Sequence, residues 1–539
     1  MKRILFFFSC AVLLLITACG QQANQEFTGP NEEELQNLNE ADFPIVKEEI
    51  TLDFFARHDP ASNSDWNDVM IFNEYEHMTN IDINWRMIPN DSLSEQLNLA
   101  FGGGNLPDAF HSAFIGSSTL MKYGDQGVLI PLNDLIDRYA PNFKKVMEEY
   151  PEIKQSITMP DGNIYAFPMM GDPDFLSYRT SPMMYINEKW LDQLGMDMPE
   201  TTEAFYEYLQ AVKEQNPSQG GVEEVPFGAP SIGHLYEHLR GAFGVANKGT
   251  ESGYIDLDPN TNDYRFYPVA DNYKELLQYL NTLYTEGLIE KNIFTIEHEQ
   301  YLANSAAGRY GSTVWYSPTQ VMGEDIGGQY TGVPALEGPY GDKLFVNLKS
   351  AVRGVGAFAI TNKNKYPAST VRWIDHFYGE EGIIMYFMGI EGETFEVNDA
   401  GELVYTENVL NDPDLSFSEQ VSRYLTFPGG GAPSMLMEKY FRGAESSAIS
   451  VEAAEKLKPD LIENPWPFIL HTEEENKKLQ GFGADIEKYV SEMRDKFISG
   501  TEPFSKWDEY VSELEKMGLE EYLYLEIKIT ALERQLNKS

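Results

Sequence analysis

Cysteine is almost absent from this chain of 539 residues, which has only Cys10 and Cys19. Both lie within the first twenty positions, so the rest of the chain has no thiol. That part can therefore form no disulfide and offers no cysteine nucleophile. A chain of this length can be stabilised by core burial alone, and it is long enough for two or more domains.

Positive charge is also scarce. Lys and Arg total 40 against 85 Asp and Glu, which gives a formal net charge of −45. A field of that sign repels nucleic acid and anionic surfaces. We therefore expect no nucleic-acid partner, and we expect the negative charge to weaken the binding of polyanionic ligands slightly.

Several enzyme motifs are missing as well. The chain contains no G-x-S-x-G, no Walker-type glycine loop and no G-x-G-x-x-G, which are the signatures of serine hydrolases, nucleotide hydrolases and dinucleotide-dependent enzymes. Acidic residues are so numerous that a glycosidase with paired carboxylates stays open. The sequence predicts a protein that is not an enzyme and needs no cofactor.

One short apolar segment opens the chain. Lys2 and Arg3 precede the run from Ile4 to Ile16, and small residues follow up to Cys19. This order is typical of a secretory signal, and no later run reaches the roughly 18 apolar residues of a membrane span. The position of Cys19 resembles the lipobox of bacterial lipoproteins, in which the cysteine becomes the first mature residue and carries the lipid. An ordinary signal peptide with a chance cysteine is the alternative.

The resemblance implies a signal peptide over residues 1–18 and a lipid anchor, palmitate among its acyl chains, at Cys19. The body would then be held at the extracytoplasmic face of the cell membrane. The stretch 19–48 is polar, acidic and nearly free of periodic apolar residues, so it predicts a flexible tether.

The folded body begins with alternating periods. Apolar residues alternate over 50–54 and 81–85 as in strands, and they recur with helical spacing over 65–78 and 92–101. A third strand is predicted to follow the glycines at 102–104. Strands that alternate with helices predict a parallel sheet with crossover helices.

Further along, Asp161-Gly162 predicts a hairpin over 157–168, and Asn187 and Thr201 or Thr202 can begin helices as N-caps. The spacing predicts helices over 271–284 and 371–378, and strands over 309–315 and 354–360.

A set of segments resembles one family. They are "GGGNLPDAF" (102–110), "YGDQGVLIPLNDLID" (123–137), "MPDGNIYAFP" (159–168), "MMYINEKWLDQLGMDMPETTEAFYEYLQAV" (183–212), "GIEGETFEVNDAGELVY" (389–405) and "WDEYVSELEKMGLEEYLYL" (507–525). In this order they are similar to extracellular solute-binding proteins of bacterial ABC importers, and in particular to the larger lipoproteins that bind oligosaccharides.

The resemblance implies a two-lobed α/β fold of the type II periplasmic-binding-protein class, with the ligand in the cleft between lobes and extra C-terminal helices. Lobe 1 would comprise 49–182 and part of 350–420, and lobe 2 would comprise 183–349 and part of 407–539. Ligands of open α/β sheets bind outside the carboxyl ends of strands, and hinge closure would trap the ligand.

A sugar site needs aromatic faces for the C–H faces of the ring and charged or amide groups for the hydroxyls. Both kinds of side chain occur just after predicted strands, at the lobe crossing and in glycine-flanked or proline-flanked loops. The candidates are Arg57, Asp59, Trp66, Asp108, His111, Tyr178, Arg179, Trp315, Tyr316, Glu391, Glu393 and Trp466. Trp315 is the preferred stacking residue, while a core position is the alternative for Trp66 and a packing role between the lobes for Trp466.

Two patterns suggest metals. His234-Leu235-Tyr236-Glu237-His238 matches H-x-x-E-H, an arrangement of zinc proteases. The segment 256–262 places oxygen-bearing side chains at positions 1, 3, 5 and 7 of an EF-hand-like loop, but position 6 is Thr261 and position 12 is Tyr267, whereas the loop requires Gly and Glu there. We assign no metal, and a structural calcium stays open.

The function expected from this resemblance is capture of a neutral oligosaccharide and its delivery to the permease of an ABC importer, by a monomer that carries out no chemistry. A lipid-anchored polysaccharide hydrolase is the main alternative, and a surface adhesin is another.

Overall fold

A computed structural model describes residues 27–58, 62–63, 65–218, 223–250, 253–412, 415, 417–427, 433–463, 465–466 and 470–526. Within them the chain forms two α/β lobes, each built on its own sheet. Among these residues no helix combines the length and apolar character that a bilayer crossing needs.

The strands, in chain order, are β1 (Ile50–His58), β2 (Ile81–Pro89), β3 (Ala109–His111), β4 (Ala166–Gly171), β5 (Met183–Asn187), β6 (Val225–Gly228), β7 (Ile255–Leu257), β8 (Tyr264–Phe266), β9 (Tyr310–Trp315), β10 (Tyr330–Gly332), β11 (Val352–Ile360), β12 (Phe395–Val397), β13 (Leu403–Tyr405) and β14 (Met435–Leu436).

The helices are α1 (Glu32–Asn37), α2 (Met70–Thr79), α3 (Leu93–Gly103), α4 (Ser117–Asp125), α5 (Asn133–Tyr139), α6 (Pro141–Glu149), α7 (Pro151–Ile157), α8 (Leu176–Thr180), α9 (Glu188–Leu194), α10 (Thr202–Gln215), α11 (Ile232–Leu239), α12 (Asp271–Thr285), α13 (His298–Ala306), α14 (Pro318–Gly327), α15 (Pro367–Asp375), α16 (Glu380–Met388), α17 (Phe417–Val421), α18 (Ala448–Leu457), α19 (Glu473–Lys478), α20 (Ala484–Ser499) and α21 (Trp507–Lys516).

Lobe 1 is built on a sheet of six strands in the order β14-β4-β11-β3-β1-β2. Strands β1, β2 and β3 run parallel, with Ile50 opposite Ile81 and Phe54 opposite Ala109. The predicted parallel arrangement of the first three strands is therefore confirmed. Strand β11 runs antiparallel to β3 and β4, which closes the sheet with a segment from far along the chain.

Lobe 2 is built on a sheet of four strands in the order β10-β5-β9-β6. Strands β6 and β9 are parallel, and β5 is antiparallel to β9 and β10. The C-terminal helices α20 and α21 pack into the core of this lobe through Ile486, Phe497 and Trp507.

The two lobes have separate cores, and over the described residues the chain passes between them five times. Core membership changes between residues 178 and 183, between 348 and 352, between 440 and 453, between 466 and 470, and between 470 and 486. The fold is thus the two-lobed α/β arrangement with extra C-terminal helices. Lobe 1 includes core residues as late as Tyr440 and Leu470, beyond the predicted limit of 420.

The described part of the stretch predicted to be a flexible tether is packed against lobe 1. Glu34 on α1 is buried and accepts hydrogen bonds from the backbone N–H and hydroxyl of Ser369, near the start of α15. Ile45 and Val46 are buried in the core of lobe 1. Low overall hydrophobicity suggested disorder, but two apolar residues and one carboxylate at a helix N-terminus are enough to fasten the segment.

Local sequence signals were more reliable. The side chains of Asn187 and Thr201 cap α9 and α10 as predicted, by accepting bonds from the N–H groups of Trp190 and Ala204. Gly162 has φ 86 and forms a turn closed by the Met159 N–H on the Asn163 carbonyl. The predicted hairpin around this turn is wrong, because residues 158–165 form no strand and β4 pairs with β11 and β14.

Candidate functional site

Parallel strands set the position of the candidate site. In lobe 1 the carboxyl ends of β1 and β3 lie at His58 and His111, and in lobe 2 those of β6 and β9 lie at Gly228 and Trp315. The segments that cross between lobes begin or end near these edges. This is the region where open α/β sheets bind ligands.

Arg57 lies at the carboxyl end of β1, at the edge of the lobe 1 sheet. Its guanidinium lies 4.9 Å from the centre of the Phe114 ring and donates from Nη1 to the side-chain oxygen of Asn90 at 3.0 Å. The Phe114 ring occupies the space beside Gly354, where a Cβ would lie 2.5 Å from Phe114 Cδ1. Glycine is thus required on β11 for the aromatic ring to sit against it.

Arg353 and Tyr178 lie where the chain crosses between lobes. The guanidinium of Arg353 lies 5.1 Å from the centre of the Tyr178 ring. Tyr178 is 7% exposed and packs against Phe175 and Gly171, whereas Arg353 is exposed. The arrangement holds a cation at the surface of the crossing, with its donors available to a ligand.

Trp315 and Tyr316 end strand β9 in lobe 2. Their rings meet edge to face at 5.3 Å, and Trp315 also contacts Tyr301 at 5.3 Å and His298 at 5.7 Å. Both are half-buried. Trp315 Nε1 is buried without a hydrogen-bond partner among the described residues, although a buried indole N–H usually has one.

One carboxylate joins this group electrostatically. Glu445 lies in the crossing between residues 440 and 453, and burial raises its pKa while Arg353 and Lys349 oppose that rise. Burial also raises the pKa of Tyr316, with a further rise from Glu445 and an opposing effect of Arg353. Arg353 and Glu445 therefore lie in one electrostatic environment with an aromatic residue of lobe 2.

Sequence reasoning missed Phe114, Lys349, Arg353 and Glu445. A signal for Arg353 existed, because the predicted lobe limits at 349 and 350 place a crossing beside it. Glu445 lacked any comparable signal, since nothing local places it beside a residue 92 positions earlier.

Arg179 has a positioning role instead. It donates from Nε to the Lys349 carbonyl at 3.1 Å and from Nη1 to the Pro173 carbonyl at 3.0 Å. The Lys349 N–H in turn donates to the Arg179 carbonyl at 2.9 Å. These bonds tie two crossing segments together, so the guanidinium is engaged with backbone.

Trp66 and His111 belong to the core of lobe 1, which corrects their assignment to the ligand site. Both are 0% exposed, and their rings meet edge to face at 5.5 Å. Burial lowers the pKa of His111 to about 3, and its Nδ1 contacts the Ser112 hydroxyl at 3.1 Å. Trp66 is buried partly by a segment that is distant in the sequence. The Ser62 hydroxyl accepts a hydrogen bond from Trp66 Nε1 and donates one to the Thr426 carbonyl.

Asp108 lies at the opposite end of its strand from the cleft, which corrects a second assignment. It immediately precedes β3, and its carboxylate accepts from the Asp53 N–H at 2.8 Å. Burial raises its pKa. Strand β3 spans only Ala109–His111. Its direction was predicted correctly, but Asp108 lies at the amino end of the strand, whereas the site was expected at the carboxyl end.

Glu391 and Glu393 are exposed in the loop that leads into the β12–β13 hairpin of lobe 1. No contact given by the structure joins them to Arg353 or Trp315. Trp466 is 6% exposed and packs in the lobe 2 core at 5.5 Å from Tyr264, so it is neither an exposed platform nor a residue between the lobes. Asp59 and Cys19 lie outside the described residues.

The metal patterns are accounted for by other contacts. His238 is buried at 5.2 Å from the Phe345 ring, and His234 contacts the Ser231 hydroxyl at 3.0 Å. Both carboxylate oxygens of Asp256 accept from Arg265, at 2.6 and 3.0 Å. Over the described part of the chain, no three His, Cys, Asp or Glu side chains are grouped to hold a metal.

Several known proteins are similar to this chain in sequence and in architecture. A family model described as bacterial extracellular solute-binding protein matches residues 64–384. The fructooligosaccharide ABC transporter substrate-binding protein FusA of Streptococcus pneumoniae is 30% identical over 96% of this chain and 96% of its own length.

Solved structures are similar too. FusA in complex with kestose matches with a TM-score of 0.73 and 27% identity, covering 91% of this chain and 100% of that one. A human-milk-oligosaccharide ("HMO") binding solute-binding protein from Bifidobacterium longum infantis matches with a TM-score of 0.76 over 89% of this chain and 98% of that one. At 19% identity, the second likeness concerns the fold alone. The chain belongs to the bacterial extracellular solute-binding protein family.

Proposed function

We propose that this protein captures an oligosaccharide between its lobes and delivers it to the permease of an ABC importer. The observation that carries the proposal is the pair of guanidinium–ring contacts, Arg57 with Phe114 and Arg353 with Tyr178, together with the electrostatic effect of Arg353 and Glu445 on Tyr316 of lobe 2. Flat rings suit the C–H faces of a sugar, and guanidinium and carboxylate groups suit its hydroxyls.

The relatives narrow the expected ligand. FusA carries fructooligosaccharide in its name and kestose in its complex, and it covers nearly the whole of this chain. We therefore place short neutral oligosaccharides, with kestose first, at the head of the ligand panel. Closure of the lobes would trap the sugar and signal the loaded state to the permease.

Isothermal titration calorimetry with kestose, larger fructooligosaccharides and acidic oligosaccharides tests the proposal, and the sugars are then recovered and analysed. We expect saturable binding of one neutral class and recovery of intact sugar. Cleaved sugar would favour the hydrolase alternative, and a complete lack of heat across the panel would contradict oligosaccharide capture.

We further propose that the protein acts as a monomer. We also propose that lipid on Cys19 holds it at the membrane, because the first twenty residues have the order of a lipoprotein signal. In cells that produce the full chain, Cys19→Ala should move the protein from the membrane fraction to the medium or leave it unprocessed. Unchanged fractionation and mass would contradict lipidation while leaving sugar binding unaffected.

A further inference from the structure

A buried cationic site lies inside lobe 2, away from the crossings. It is formed by Tyr236 on α11, Arg240 just after that helix, Tyr267, Tyr273 on α12 and Arg494 on α20. Arg240 is 6% exposed, and Tyr236, Tyr267 and Tyr273 are 3%, 0% and 0% exposed. The C-terminal helices, which cover this region, thus enclose a guanidinium in the interior.

The two guanidinium groups lie near one ring. Arg240 Cζ is 5.7 Å and Arg494 Cζ is 5.0 Å from the centre of Tyr236. Arg494 is paired with Asp495 at 2.8 Å. Arg240 has no carboxylate within 4.0 Å among the described residues, and its single bond is a long one of 3.4 Å from Nη1 to the Tyr267 hydroxyl. Glu237 acts on Arg240 only from beyond that distance, raising its pKa. A buried charge without a paired carboxylate is strongly unfavourable.

Three hydrogen-bond donors at this site are unused. Arg240 Nε and the hydroxyls of Tyr236 and Tyr273 are buried and have no partner in the described chain. The rings of Tyr236 and Tyr273 meet edge to face at 6.1 Å. Beyond the effect of burial, Tyr267 and Tyr273 raise the pKa of Tyr236 and Arg240 lowers it, so these groups influence one another.

From the unpaired guanidinium and the unused donors, we propose that lobe 2 binds a small monovalent anion of the size of chloride at Arg240, Tyr236 and Tyr273. An anion beside Arg240 neutralises the charge and accepts from the unused donors that face it, whereas water satisfies a donor and leaves the charge. Close packing of aromatic rings around the site favours a monatomic ion over a larger oxyanion. The site would stabilise lobe 2 independently of sugar binding.

The first test is thermal unfolding of the purified full chain in sodium chloride, bromide, sulfate and gluconate at one ionic strength. We expect chloride and bromide to raise the melting temperature by about 3 °C or more over gluconate, because a ligand of the native state stabilises it by mass action. The double variant Tyr236→Phe with Tyr273→Phe keeps both rings and should lose this difference. Tyr75→Phe, which removes a buried hydroxyl from lobe 1, should retain it.

The second test does not depend on variants. In bromide-soaked crystals of the full chain, anomalous scattering should show a peak within about 3.5 Å of Arg240 Nε. Bromide peaks confined to the surface, water at the site, or equal melting temperatures in all four salts would overturn the proposal. A response to sulfate alone would also overturn it, because that result requires a site for an oxyanion.

Discussion

Arg353 of lobe 1 lies over the ring of Tyr178, with its Cζ 5.1 Å from the ring centre, at the point where the chain passes to lobe 2. The contact orients an exposed cation that would otherwise be free to rotate. Arg353 is therefore the residue through which the crossing itself would contact a ligand.

Arg353→Ala should weaken oligosaccharide binding by about tenfold, because it removes charge-assisted donors and a cation–π contact. Calorimetry measures the change. The control is Arg423→Ala, whose guanidinium forms an exposed pair with Asp412 on lobe 1 at 3.5 Å. Equal affinities of Arg353→Ala and wild type would remove Arg353 from the site.

Trp315→Ala should weaken binding by at least about tenfold, since a stacked ring contributes both apolar contact and shape. Trp315→Phe should retain part of the affinity. Tyr340→Ala is the matched control, because Tyr340 is 68% exposed on a loop of lobe 2. If circular dichroism shows an intact fold and Trp315→Ala binds normally, Trp315 does not stack on the sugar.

Trp66→Leu should affect stability rather than ligand contact. Its side chain is 0% exposed and packs against Trp85 and Phe72, so the change leaves a cavity that costs about 3 kcal/mol. Urea unfolding measures the loss. A variant of wild-type stability with impaired binding would return Trp66 to the ligand site.

Asp256→Asn should destabilise lobe 2 by about 3 kcal/mol, because it leaves Arg265 without its buried carboxylate partner. Asp258→Asn is the control, since the Asp258 carboxylate lies in an exposed turn. Calcium should raise the melting temperature of wild type and Asp256→Asn equally, or of neither. A calcium response that disappears only in Asp256→Asn would show that the Asp256 carboxylate binds calcium and does not serve Arg265 alone.

Acid should reveal the buried histidine His238. Burial lowers its pKa to about 4 from 6.5, so the unfolded state binds the proton first and stability falls as the pH drops from about 6.5 towards 4. The loss amounts to about 3 kcal/mol over this window. His238→Leu should therefore lose less stability than wild type between pH 7 and pH 4.

Urea unfolding at a series of pH values measures this difference. Glu34, whose pKa burial raises to about 7 from 4.5, acts with the opposite sign: the folded state binds its proton first, so its contribution to stability declines as the pH rises through this range. Because wild type and His238→Leu share Glu34, their difference reports His238. Parallel pH profiles would mean that His238 does not titrate in this window.

Much of the architecture follows from local pattern. The switch from a period of two over 50–54 to helical spacing and back predicted β1, α2 and β2, and Asn187 and Thr201 cap helices because a side-chain oxygen can reach the first free N–H groups. Such signals involve neighbours in sequence, so they survive without knowledge of the fold.

The candidate site was less predictable, because whether a side chain faces the core or the cleft depends on residues far away in the sequence. Trp66 and Trp315 looked alike as aromatic residues near loops, yet chain from residue 426 helps to cover the first and the second stays half-buried. Asp108 was assigned to the cleft although it lies before its strand. Arg353 and Glu445 came into one electrostatic environment only through the crossings.

By itself the sequence determined a body without thiols, a strongly acidic surface, alternating strands and helices, and the places where the helices begin. The tertiary structure decided which aromatic rings are core, that Glu34 fastens the N-terminal segment to α15, and that Asp256 is neutralised by Arg265. The physical reason is that secondary structure is set by spacing along the chain, whereas burial and charge partners depend on which side chains the fold brings together, in the case of Glu34 and Ser369 from segments hundreds of residues apart.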